Sequence, residues 1–163
     1  MNRLLVQAVV WAVLILGAVG DLVWHYPRLP ERVASHFNAA GQADGWCTRS
    51  EYLATWLWSL GLVAVLIPVL QWLMKVIPAR FINMPRRHYW LAPEREAATR
   101  EAMSAWVFWL GVAMWVTMAL LHHLTLRVNL GPERDLGSWP LVIVGANLAA
   151  MAVLIIGMYR RFR

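Results

Sequence analysis

Cysteine and charge are the scarce materials of this chain. A single cysteine, Cys47, excludes an internal disulfide and a thiolate metal cluster. Charged residues fill only 15% of the 163 positions and hydrophobic ones 60%, with a mean hydropathy of +0.51. Neither a water-exposed globular domain nor a disordered tail has that balance. Catalytic signatures are missing too. There is no Gly-x-Ser-x-Gly, no His-x-x-x-His, no His-Glu-x-x-His, and no evident base beside Cys47. An enzyme is therefore not expected. The net charge of +6 would suit a nucleic-acid partner, but the basic residues gather where apolar runs end, so they read as membrane topology signals and no nucleic acid is expected.

What the chain has is four long stretches with little charge. They predict an all-α integral membrane four-helix bundle, a single domain over 1–163, with helices at about 4–24, 52–74, 93–126 and 139–159. The apolar run in each, which in the third begins only at Ala102, is about 20 residues or slightly more, enough to cross ~30 Å of hydrocarbon, and none alternates as a barrel strand would. The connections are an ordered extracytoplasmic loop over 25–51, a cytoplasmic loop over 75–92 and an outer loop over 127–138. The first run also has the shape of a secretory signal, with Arg3 ahead of it and Ala18-Val19-Gly20 near its end. We expect it to be retained as a span.

Orientation follows from charge. Arg3, Lys75, Arg80, Arg86, Arg87, Arg95, Arg100, Arg160, Arg161 and Arg163 lie on the side of both termini, against Arg28, Arg32, Arg49, Arg127 and Arg134 on the other. The positive-inside rule then puts both termini in the cytoplasm. Acidic residues add to the asymmetry, with Glu94, Glu96 and Glu101 inside and Asp21, Glu31, Asp44, Glu51, Glu133 and Asp135 outside.

Local signals mark the helix ends. Thr48 and Glu51 fit a capping box ahead of the second span, Pro93 with Glu94 and Glu96 fits the first turn of the third, and Pro68 should kink the second. Of the eleven tryptophans, Trp24, Trp46, Trp56 and Trp139 fall at the outer interface and Trp72, Trp90 and Trp106 at the inner one, as an aromatic belt would. Gly145 and Ala149 form a small-residue face for another helix, from this chain or a second copy. Asn147 between them should hydrogen-bond to a neighbouring helix.

The most informative segment joins the first two spans. Its motif, Tyr-Pro27-x-Leu-Pro30-x-x-Val-x-x-His36-Phe37-Asn38-x-x-Gly41-x-x-Asp44-Gly45-Trp46, is too long for a mere connection. Two prolines stiffen it, and Gly41 and Asp44-Gly45 should supply tight turns. The motif closely resembles the bacterial membrane domain of unknown function that forms the first half of SdpI-type immunity proteins. Asn83, Pro85, Tyr89 and Trp90 resemble a cytoplasmic element of small stand-alone relatives. The resemblance implies protection against a secreted peptide toxin combined with signalling.

The candidate chemistry lies on the outer side. Asp21, His25, His36, Asp44, His122 and His123 gather there, and imidazole with carboxylate suits Zn²⁺ or a proton site. A structural reading competes: His36 bonds the loop turn, and one of His122 and His123 pairs with Asp21. The expected function is non-enzymatic membrane sensing, signalling or immunity, with the outer loop engaging a peptide, lipid or protein partner. The alternatives are a metal- or proton-linked site at the outer histidines, or an accessory subunit of a larger membrane complex. Membrane lipid, a membrane protein and a second copy of the chain are the expected partners.

The charge asymmetry makes the orientation testable. With Cys47 replaced by alanine, Gln42→Cys should react with a membrane-impermeant thiol reagent added outside intact cells, and Ala97→Cys should not. The opposite labelling would overturn the orientation.

Overall fold

The computed structural model describes residues 3–132 and 135–163. Glu133 and Arg134, which enter the charge comparison, lie outside the described residues. The chain runs through α1 (Arg3–His25), a short 3₁₀ turn (Tyr26–Arg28), β1 (Arg32–Phe37), β2 (Ala43–Thr48), α2 (Arg49–Val76), a second 3₁₀ turn (Ala79–Phe81), the single turn α3 (Arg87–Trp90), α4 (Pro93–Leu130) and α5 (Trp139–Phe162). Among the described residues four helices are long and apolar enough to cross a membrane, so the all-α membrane bundle holds. The loop between the first two spans also contains a small antiparallel hairpin.

Helix starts follow the local chemistry. The Thr48 hydroxyl accepts from the Glu51 amide at 3.2 Å, and the Glu51 carboxylate accepts from the Thr48 amide at 2.8 Å. This reciprocal box satisfies two otherwise orphaned donors and starts α2 at Arg49. Pro93 occupies the first turn of α4, where its missing N–H costs nothing. α2 continues through Pro68.

The core lies where α2 meets α4 and α1. Tyr52, Trp56, Leu60, Val63 and Ile67 are buried at spacings of three and four, which puts them on one face of α2. Trp56 is only 3% exposed, so it belongs to this core and not to the aromatic belt. Trp24, Trp72 and Trp139 are exposed. On α4, Gly111 lets the helices close: a methyl group there would sit 2.6 Å from the Ile67 side chain. Amides reinforce the contact lower down, where Gln71 donates to Gln7 of α1 at 3.3 Å and to the Ser104 carbonyl of α4 at 3.4 Å.

α5 is peripheral, with Phe162 its buried residue. Its close approach to α4 comes at Gly157, where an added Cβ would lie 3.0 Å from Trp106. The Gly145 face looks onto open space, so Gly145 and Ala149 do not form the seam within the chain. Asn147 likewise reaches no neighbouring helix: its amide donates to Met151 Sδ of its own helix at 3.8 Å, and its buried Oδ1 has no partner among the described residues.

At the end of the bundle shared by the termini, the Trp90 indole donates to the Phe162 carbonyl at 2.8 Å while the two rings meet edge to face. The Trp90 carbonyl accepts from Thr99 at 2.8 Å. Arg100, paired with Glu96 at 2.7 Å, caps the Met74 carbonyl at 3.1 Å. A cation at that position suits the negative end of α2.

The hairpin closes the opposite end. Gly41, with φ of 84°, makes its turn, and the Asn38 side chain accepts from the Ala40 and Gln42 amides. An added Cβ at Gly41 would lie 2.5 Å from the Gly137 carbonyl oxygen. Asp44-Gly45 forms no turn. Both residues lie within β2, and the pairing skips Ser35 on one strand and Asp44 on the other. Gly45 is required by close approach: a Cβ there would be 2.7 Å from the His36 Cβ.

A two-stranded ribbon leaves outward-facing N–H and C=O groups without strand partners. At Ala34, fully buried, Asn129 of α4 supplies both: its Oδ1 accepts from the Ala34 amide at 2.7 Å and its Nδ2 donates to the Ala34 carbonyl at 2.9 Å. The side-chain amide thus stands in for a third strand, with Val33 and Leu126 fully buried beside it. Asn129→Ala should orphan both groups at a cost of roughly 2–4 kcal/mol. Hydrogen exchange should then accelerate at residues 33–36, with the middle of α2 unchanged. Equal protection in the variant and the parent would contradict the clamp.

Candidate functional site

Asp21 and His25 stand one turn apart on α1, so their side chains share a face. His123 of α4 meets them there. Its Nδ1 is 2.8 Å from Asp21 Oδ1, and His25 Nδ1 is 3.1 Å from the same oxygen and 2.8 Å from the Asp21 carbonyl. A carbonyl can only accept, which places a proton on His25 Nδ1; an ionised carboxylate does the same for His123. The two imidazole rings meet edge to face with centroids 5.6 Å apart. All three side chains are half-buried at the hairpin end of α1 and α4.

This cluster heads a cleft of about 280 Å³ between α1 and α4. Val13, Gly17, Val116 and Leu120 line its open side, and Trp56 and Trp115 stand among its lining residues. Asp21 and His123 are its ionisable lining groups. Trp115 donates its indole N–H to the Leu14 carbonyl at 3.3 Å. The buried Trp56 N–H has no acceptor among the described residues, an arrangement that costs about 1–3 kcal/mol until an acceptor arrives. The cleft is thus apolar along its length and polar at one end, the shape of a site for an amphiphile.

The six outer residues named from the sequence fall into three groups. Asp21, His25 and His123 come together. His36 pairs with Asp44 on the solvent face of the hairpin, far too exposed for the pair to stabilise the fold by more than about 1 kcal/mol. The turn itself is held by Asn38 and Gly41, so His36 is not its hydrogen-bond partner. His122 points elsewhere, because successive helical residues are rotated by about 100°. Its Nε2 meets Ser59 of α2 at 3.0 Å, and its carbonyl accepts from Tyr52 at 3.4 Å. There it borders a second hollow of about 410 Å³, with Ser35, Cys47, Tyr52, Thr55 and Thr125 supplying polar groups.

The remaining motif residues have positional roles. Pro27 lies in the turn that follows α1, and Leu29, between Pro27 and Pro30, is buried. Phe37 is half-buried, and Trp46 carries the Arg32 guanidinium over its ring at 5.4 Å. Asn83, Pro85, Tyr89 and Trp90 belong to the opposite end, where Arg95 stacks on Tyr89 at 4.0 Å and Trp90 latches Phe162. Sequence reasoning missed Asn129, Ser59 and the Gln7–Gln71 pair. Each is a polar side chain within an otherwise apolar helix, the signal that was given weight only at Asn147.

Fold and site together define a multi-pass helical membrane protein whose hairpin-capped end carries a carboxylate with two imidazoles. Residues 12–71 match the family model of a domain of unknown function, DUF1648. The matched segment takes in most of α1, the hairpin and most of α2, and so includes Asp21 and His25 but not His123. No curated protein and no solved structure matches the chain.

Proposed function

We propose that the protein is a non-enzymatic sensing module of the bacterial inner membrane, with its termini in the cytoplasm and its hairpin outside, and that it binds an amphiphile from the outer leaflet. The observation that carries this reading is the cleft between α1 and α4, apolar along its walls and headed by Asp21 and His123. An acyl chain fills the apolar length, where each buried methylene contributes about 0.8 kcal/mol. The head of the cleft presents the Asp21 carboxylate, a strong hydrogen-bond acceptor, beside the His123 imidazole. It therefore selects a cationic or donor-rich head, such as the ammonium of an aminophospholipid.

The orientation rests on the excess of lysine and arginine at the termini end. The resemblance of the hairpin motif to SdpI-type immunity proteins supports a protective or signalling role. Helix α4 offers a route for the signal, since it carries His123 near one end and Arg100 and Glu101 near the other, where Arg100 caps α2 and Glu101 lies within 3.7 Å of Arg3 of α1.

Gly17 lines the cleft and a Cβ there meets nothing within 4 Å, so Gly17→Leu adds bulk at the site. In chelator-treated nanodiscs, a photoactivatable phosphatidylethanolamine should label peptides of α1 and α4 in the parent. Labelling should fall about tenfold in Gly17→Leu, which corresponds to about 1.4 kcal/mol. Equal labelling in both proteins, spread over α5 as well, would defeat the reading.

A further inference from the structure

We infer that Asp21, His25 and His123 form a site for one transition-metal ion, with Zn²⁺ the best match. One ligand atom from each residue lies within 4.8 Å of the others, and the three side chains come from two helices already packed together. Two imidazole nitrogens and one carboxylate oxygen are donors that zinc favours over the hard cations Mg²⁺ and Ca²⁺, which take oxygen ligands in larger number.

The present spacing is that of hydrogen bonds, 2.8 Å and 3.1 Å to one carboxylate oxygen. Tetrahedral zinc at about 2.0–2.1 Å from each ligand sets neighbouring donors roughly 3.3 Å apart. The two separations from the carboxylate need to open by a few tenths of an ångström, and the two imidazole donors, within 4.8 Å of each other, need to settle at the same spacing, which rotamer adjustment of the three side chains supplies. Binding at Nδ1 moves the imidazole proton to Nε2, so neutral histidines remain neutral. His25 then exchanges its bond to the Asp21 carbonyl for the metal.

Three protein ligands leave the fourth tetrahedral position open, as in zinc sites that bind an exogenous ligand. Asp21 and His123 both line the cleft, so that position lies at its head. The ion also shifts the charge of the head. A divalent ion adds two positive charges beside the one carboxylate, so a metal-loaded site takes a phosphate or carboxylate where the metal-free site takes an ammonium. His36, Asp44 and His122 are not ligands. The first two form their own exposed pair on the hairpin, and His122 turns to Ser59.

Metal affinity needs no amphiphile, so this inference can fail independently of the proposed function. The full chain in lipid-free detergent, stripped with chelator, is titrated with Zn²⁺ alone against a chromophoric zinc indicator. One ion per chain is expected, with affinity reduced at least about tenfold in Asp21→Asn and in His123→Ala and unchanged in His36→Ala and His122→Ala. X-ray absorption of the zinc-loaded parent should report two imidazoles with oxygen donors completing the shell, which keeps the inference testable if a variant misfolds. Substoichiometric zinc, binding that survives both ligand variants, loss in His36→Ala or His122→Ala, or a shell without two imidazoles would each overturn the site.

Discussion

A carboxylate at the end of a membrane-spanning helix has to be satisfied locally, and that requirement organises one end of this molecule. Asp21 sits half-buried where α1 meets the hairpin. Removing its charge from water without partners would cost several kcal/mol. Two imidazoles converge on a single oxygen, one from the next turn of α1 and one from α4. Because His25 and His123 come from different helices, satisfying Asp21 also fixes how α1 and α4 stand relative to each other. The cleft below is the gap left between helices joined at that point, with small residues Gly17, Ala18 and Ala119 on its walls.

A second constraint of the same kind seats the hairpin. Strand edges near a membrane surface carry backbone groups that neither lipid nor core can satisfy. Asn129 answers this at Ala34, and Asp135 answers it at the hairpin tip through its bridge to Gln42 and the bond from Leu136 to the Gly41 carbonyl. The long α4 and the segment that follows it thus hold the two ends of the cap. Its extension to Leu130, four residues beyond the expected boundary, is what brings Asn129 beneath β1. Asn129 and His123 are six positions apart on that helix, so hairpin and carboxylate cluster depend on one rigid element.

The four spans were legible because an apolar run of bilayer length has few other readings. The capping box at Thr48 was legible because it depends only on residues three apart. The hairpin was not. Skipped residues at Ser35 and Asp44 break the alternation that marks a strand, and Val33 with Ala34 gives two adjacent apolar positions instead of a period of two. Trp56 was misplaced because depth along the helix was read without its face, although its spacing of four from Tyr52 and from Leu60 marks a core stripe. The site was half legible. Sequence brought the outer histidines and aspartates to one side of the membrane, but it could not say which of two adjacent histidines faces α1. That depends on the rotation of α4, which is set by packing at Gly111 and by Asn129.

Asp21 thus binds His25 and His123 and not His122, the sequence neighbour of His123. Nitrogen-15 magnetic resonance of the imidazoles in bilayers reads this directly. Asp21→Asn should shift the ring nitrogens of His25 and His123 and leave those of His122, held by Ser59, where they were. A shift at His122 with His123 unmoved would mean that α4 is rotated and that neither the cleft nor its polar head is arranged as described.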